Sequence, residues 1–172
     1  MRLATMILSF VGLMSSVGLP ALAGAGLPRG GYLTKDGKLT KQLKVLQLQG
    51  GCAGFTGVQY TIARDGSWAL ETVFNDKKTP KMKGKLTQKE LMKLGALLEK
   101  FALAKLPAKS GKEPGANPHT IDFEFAGKKA SLIGQMPPQL DPKNPTGTVE
   151  SRFAGIWEGI TALLTPPRKK EE

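Results

Sequence analysis

A chain with a single histidine and a single cysteine has little side-chain chemistry to offer, so His119 and Cys52 come first. A histidine acting as general base needs a nucleophile and an orienting acid within hydrogen-bond reach. The carboxylate nearest to His119 in sequence is Asp122, three residues on. On a strand that spacing sends the two side chains to opposite faces, so Asp122 cannot orient the ring. A Cys52–His119 dyad requires the glycine-rich stretch around Cys52 to meet the start of the strand that follows His119. Zinc wants at least three Cys, His or carboxylate ligands at suitable spacing, and none is found. Asp122 and Glu124 share a strand face and read as a solvated polar surface. Gly50-Gly51-Cys52-Ala53-Gly54 lacks the lysine and the following helix of a phosphate-cradling loop. The expectation is a chain that is not an enzyme and that carries no cofactor and no metal.

What remains is contact. Gly50, Gly51, Cys52, Ala53, Gly54 and Phe55 open an eight-residue stretch, closing with Thr56 and Gly57, in which four residues are glycine. Such density means unusual φ values or close approach by a neighbouring backbone. One reading is a wide turn or bulge that reverses the chain between strands. The other is a loop held out to a partner by a rigid scaffold, and on it Gly50–Phe55 is the candidate partner-binding segment. Cys52 itself reads as a small, partly buried apolar residue, with a reactive thiol or an intermolecular disulfide as the alternative.

The surrounding elements would position that segment. Leu46 and Leu48 alternate with Gln47 and Gln49, which predicts a strand ahead of the corner. Val58, Tyr60 and Ile62 alternate after it, and Trp68, Leu70, Thr72 and Phe74 repeat the pattern beyond Asp65-Gly66. An Asp-Gly pair suits a two-residue type I′ turn, so these two runs form a hairpin. Asn75–Lys85 reads as a polar connection. Thr87 and Glu90 then make a capping box, followed by Leu91, Leu94, Leu98 and Phe101 at helical spacing, and Pro107 ends the helix by Leu106. Ile121–Phe125 and Ala130–Gly134 are two further strands around Ala126–Lys129. Pro137, Pro138, Pro142 and Pro145 make Gln135–Gly147 an extended surface excursion. Thr148 caps a last helix with Phe153, Ile156, Trp157, Ile160 and Leu164 on its apolar stripe. The fold class is α+β: an antiparallel sheet of four to five strands, in the order β-β-β-α-β-β-α, with two amphipathic helices on one face. Trp68 and Trp157 are expected in the core, and the bare sheet face is a second candidate surface.

Met1–Ala23 has the make-up of an export leader, with Arg2, an apolar run from Leu3 to Met14, and Ala21-Leu22-Ala23 as cleavage site. A secreted or periplasmic protein is expected, with a mobile arm over residues 24–43, one domain over 44–165 and a charged, disordered tail over 166–172. No later segment is apolar enough to span a bilayer. The formal charge is +11, with lysines gathered at Lys77-Lys78 and Lys81-Lys83-Lys85. That excess favours anionic surfaces or acidic proteins. Without a recognition motif or an aromatic stripe it does not point to nucleic acid.

From Leu46 to Leu164 the layout resembles the emfourin family, protein inhibitors of thermolysin-like (M4) metalloproteases. The likeness rests on the strand followed by Gly50-Gly51-Cys52-Ala53-Gly54-Phe55, the hairpin, the helix start Leu86-Thr87-Gln88-Lys89-Glu90-Leu91, the run Leu97–Phe101 with Leu106-Pro107, the Ile121–Phe125 strand and the closing helix. Cys52 stands where a larger apolar residue is expected, and Gln135–Gly147 reads as an insertion. The pattern also fits exported domains without an assigned role that carry a strand and a Gly-x-Cys-x-Gly corner. The resemblance implies a sheet with helices, a secreted or periplasmic metalloprotease as partner, and Gly51–Phe55 against the protease cleft. A basic, envelope-associated domain that holds anionic polymer or membrane is the other functional expectation.

Overall fold

The computed structural model describes residues 31–114 and 116–165. The expected leader, residues 24–30 of the expected arm and the charged tail lie outside the described residues. A mixed sheet of seven strands carries two helices: β1 (Leu43–Gly51), β2 (Gly54–Ile62), β3 (Ser67–Phe74), β4 (Lys77–Lys85), α1 (Gln88–Lys100), β5 (Ser110–Gly111), β6 (His119–Phe125), β7 (Lys128–Gly134) and α2 (Val149–Leu164). The spatial order is β4-β3-β2-β1-β6-β7-β5. All neighbours are antiparallel except β5, which runs parallel to β7.

The class α+β stands, but the sheet has seven strands rather than four or five. The polar connection Asn75–Lys85 is mostly β4, a full edge strand whose register slips between Leu70 and Glu71 of β3. Lysines, a proline and a bulge are the devices that keep an edge from pairing with another chain. They also make an edge strand look like a loop in sequence.

Register decides which residues face the helices. Leu43, Val45, Tyr60, Ile62, Leu70, Ile121, Phe123 and Leu132 share one face through direct cross-strand pairing, and all are buried. Leu46 and Leu48 therefore point to the other face and are only half-buried. Phe153 of α2 stacks on Phe123 with ring centroids 5.2 Å apart, and Trp157 meets Tyr60 edge-on at 5.8 Å. Trp68 and Trp157 line the core without being fully enclosed. The capping box at Thr87 and Glu90 is present, and Thr148 caps α2.

Two local expectations are corrected. Asp65 lacks positive φ; Gly66 alone has it, at +85°. Gly66 N donates to Ala63 O and Ala63 N to Ser67 O, so a three-residue loop with a glycine bulge closes the β2–β3 hairpin. The turn with positive φ at both central residues is Ala126-Gly127, between β6 and β7. The second correction concerns the arm, whose described part sends side chains into the core. Tyr32, Leu33 and Leu39 are buried, Leu39 wholly. Leu33 fills a notch at Gly95 of α1, where an added Cβ would stand 2.6 Å from Leu33 Cδ1. The Tyr32 hydroxyl accepts a hydrogen bond from Ala104 N at 2.8 Å. Burial of that phenol raises its pKa, so the ring enters the core neutral.

The proline excursion is held from below. Buried Ser151 donates from Oγ to Pro145 O and accepts from Asp141 N at 2.9 Å. Arg152 joins the helices by donating to the carbonyls of Phe101 and Ala102 at the end of α1, at 2.9 and 2.8 Å. Helix-end carbonyls lack the full set of intrahelical partners, and the guanidinium supplies donors there, at Ala102 beside the Lys105 amide.

Candidate functional site

The glycine stretch is a hairpin tip rather than a wide turn. β1 runs to Gly51, which pairs with Gly54, so Cys52 and Ala53 are the only residues between the two strands. Three of the four glycines, Gly50, Gly54 and Gly57, have a close neighbour. Gly50 N donates to Pro118 O at 2.7 Å, and a Cβ on Gly50 would lie 2.6 Å from Pro118 Cδ. Gly57 sits so close to β1 that a Cβ would strike the Gln47 carbonyl. Gly54 has φ +110° and leaves its space to the Asn75 side chain.

Asn75 is the brace that residue patterns did not single out. It occupies the turn of the β3–β4 hairpin with φ 43°. Its Oδ1 accepts from Phe55 N at 2.9 Å, and its own N donates to Phe55 O at 2.7 Å. The two hairpin tips are thus tied through one residue, and Pro118 holds β1 from the other side. An Asn-Asp pair between alternating runs was the available signal, lost when the lysines after it were read as a loop.

Around this braced frame the surface is exposed and partly apolar. Gly51, Cys52 and Ala53 are exposed. Phe55 is 44% exposed and Phe74 49% exposed. Phe74 lies opposite Thr56 on the helix-side face, whereas Phe55 lies opposite Gly50 on the other face. The two rings flank the end of the sheet. Of the predicted segment, Gly50 is buried and Gly54 half-buried, so these two shape the tip while Gly51, Cys52, Ala53 and Phe55 present it. Cys52 is exposed, not the partly buried apolar residue expected, because a two-residue connection leaves it nothing to pack against. Phe74, expected on a buried stripe, belongs with this surface.

The residues considered for catalysis are not assembled. His119 pairs with Gln49 and Gly134 on the helix-side face, while Asp122 is on the opposite face as its spacing required. His119 lines a cavity of about 400 Å³ with Glu113 and Glu150, and Cys52 is not part of its wall. Among the described residues no hydrogen bond joins Cys52 to His119, and His119 Nδ1 is buried without a partner. Asp122 accepts from Ser131 Oγ and pairs with Lys129 at 2.9 Å; Glu124 pairs with Lys44 at 3.2 Å. Cross-strand cations thus occupy both carboxylates. No group of three His, Cys, Asp or Glu residues is placed to hold a metal ion among the described residues.

A second surface is electrostatic. β4 carries Lys77, Lys78, Lys81, Lys83 and Lys85. Of these only Lys85 makes an ion pair among the described residues, with Asp65 at 3.5 Å. No helix among the described residues is long and apolar enough to cross a membrane. A scan of protein families finds none that matches the chain, and no curated protein matches it either.

Proposed function

We propose that this chain is an exported, non-enzymatic binding domain that docks through the hairpin tip Gly51–Phe55 together with Phe74, and that its partner is a thermolysin-like metalloprotease, which it inhibits. The observation that carries the binding role is the combination of exposure and bracing. A loop already fixed by Asn75 and Pro118 loses little conformational freedom when a partner closes over it. Two half-exposed phenylalanines beside it supply the aromatic contacts from which interface hot spots are built. The choice of partner rests on the resemblance of the Gly50–Phe55 corner and its flanking elements to the emfourin family. Export rests on the composition of Met1–Ala23.

Titration of the purified domain into a thermolysin-type enzyme tests both parts. Peptide hydrolysis should fall to a residual level near one equivalent, and Phe55→Ala combined with Phe74→Ala should weaken inhibition by roughly 10- to 100-fold, as loss of two aromatic anchors does. Unchanged hydrolysis at a large excess of domain contradicts the inhibitor reading for that enzyme.

One specific observation favours a second reading. Four lysines of β4 that make no ion pair among the described residues lie along one edge, which suits an anionic polymer. Binding of that kind weakens steeply with added salt, whereas docking at the tip does not.

A further inference from the structure

Away from the tip, the helix-side face carries an apolar groove beside the β6–β7 hairpin, with a volume of about 660 Å³. Clefts that bind small molecules span roughly 300–1,000 Å³. Its floor is aromatic and aliphatic: Tyr32, Phe123 and Phe125 face Leu103 and Leu106. Few polar groups in it are left for a ligand. The Tyr32 hydroxyl already accepts from Ala104 N, and the Thr40 hydroxyl donates to Gly31 O at 2.8 Å. Lys129 borders the groove, but its ammonium is on the far face of the sheet with Asp122. Two cations remain at the mouth. Lys128 is across from Phe125 on the helix-side face, Lys41 precedes β1, and neither makes an ion pair among the described residues.

We propose that this groove binds a free fatty carboxylate, its alkyl chain on the Phe123–Phe125–Leu103 floor and its carboxylate between Lys41 and Lys128. Charge complementarity sets the choice. An apolar floor alone accepts any alkyl chain, but two free ammonium groups at the mouth select an anionic head over a neutral or cationic one. The same charges argue against the chain's own preceding segment as occupant, since the sequence Leu27-Pro28-Arg29 would add a cation to a basic rim. This site is independent of the hairpin tip and does not rest on protease inhibition.

The test is calorimetric titration of the full chain with dodecanoate below its micelle-forming concentration, and with dodecyltrimethylammonium as the cationic counterpart. Dodecanoate should bind one-to-one and the cation about tenfold or more weakly. Lys41→Glu with Lys128→Glu should erase that preference. Ala104→Trp, which fills the mouth from an exposed position, should abolish binding of both while leaving the thermal melt unchanged. Leu27→Asp should change nothing. The proposal is overturned if dodecanoate fails to bind, if the cation binds equally well, or if Ala104→Trp binds normally. It is also overturned if Leu27→Asp tightens binding about tenfold, because the groove would then already hold its own chain.

Discussion

The two ends of the helix-side face are built from the same alternating strands and have opposite fates. At one end Leu43, Ile62 and Phe123 are almost entirely shielded from solvent. At the other, Gln49, Thr56 and Phe74 are exposed and the strands run on past the helices to the hairpin tip. Burial along a strand is set by what lies above it. The bare end is held without a roof by backbone hydrogen bonds: Asn75 ties one hairpin to the next, and Pro118 receives Gly50 N. One end is held by apolar packing, the other by backbone fit around glycines.

The largest expected effect breaks the roofed end. Phe153→Ala removes a fully buried ring stacked on Phe123 and should lower unfolding free energy by about 3–5 kcal/mol, read from urea denaturation. Leu39→Ala should cost about 2–5 kcal/mol, because Leu39 is wholly buried; a change near zero would restore it to a mobile arm.

At the bare end the effects on stability shrink and those on contact grow. Gly54→Ala forces a side chain into φ +110° and into the Asn75 side chain, at a cost of about 1–3 kcal/mol. Amide exchange should quicken at Phe55 and Asn75 before it does in β6. Phe55→Ala should move stability by no more than about 0.5 kcal/mol, since the ring is half in water, yet weaken partner binding.

The smallest effect is a pH dependence. The Glu90 carboxylate accepts from the Thr87 backbone and hydroxyl, and Asp65 accepts from the Ser67 hydroxyl and backbone; these bonds hold both pKa values below their ordinary positions. Groups depressed in the folded state contribute stability above their unfolded pKa and lose it as pH falls through the folded one. The melting temperature should therefore decline as pH drops below about 4.5, the ordinary glutamate value, and less so in Glu90→Gln.

Much of this was legible in residue order. The capping box at Thr87 and Glu90, the strands around Tyr60, Leu70 and Phe123, and the α2 stripe follow from spacing that local physics enforces. What escaped was set by tertiary context. Trp68, Leu70, Thr72 and Phe74 alternate without a break, so nothing local separates buried Leu70 from exposed Phe74. Lysines and Pro80 disguised β4, because an edge strand must avoid pairing and so mimics a loop. Tyr32 and Leu33 sit near glycines and lysines, and their partners, the Ala104 amide and the Phe125 ring for Tyr32 and the notch at Gly95 for Leu33, come from distant parts of the chain. Of the candidate site, Cys52, Ala53 and Phe55 were found from glycine density; Asn75, which holds them in place, was not.

Hydrogen exchange of the full chain, alone and mixed with a thermolysin-type protease, tests the central claim most directly. Slowed exchange confined to Gly51–Phe55 and Phe74–Asp76 is the predicted result. Protection along Lys77–Lys85 instead, or none anywhere at saturating protease, would contradict it.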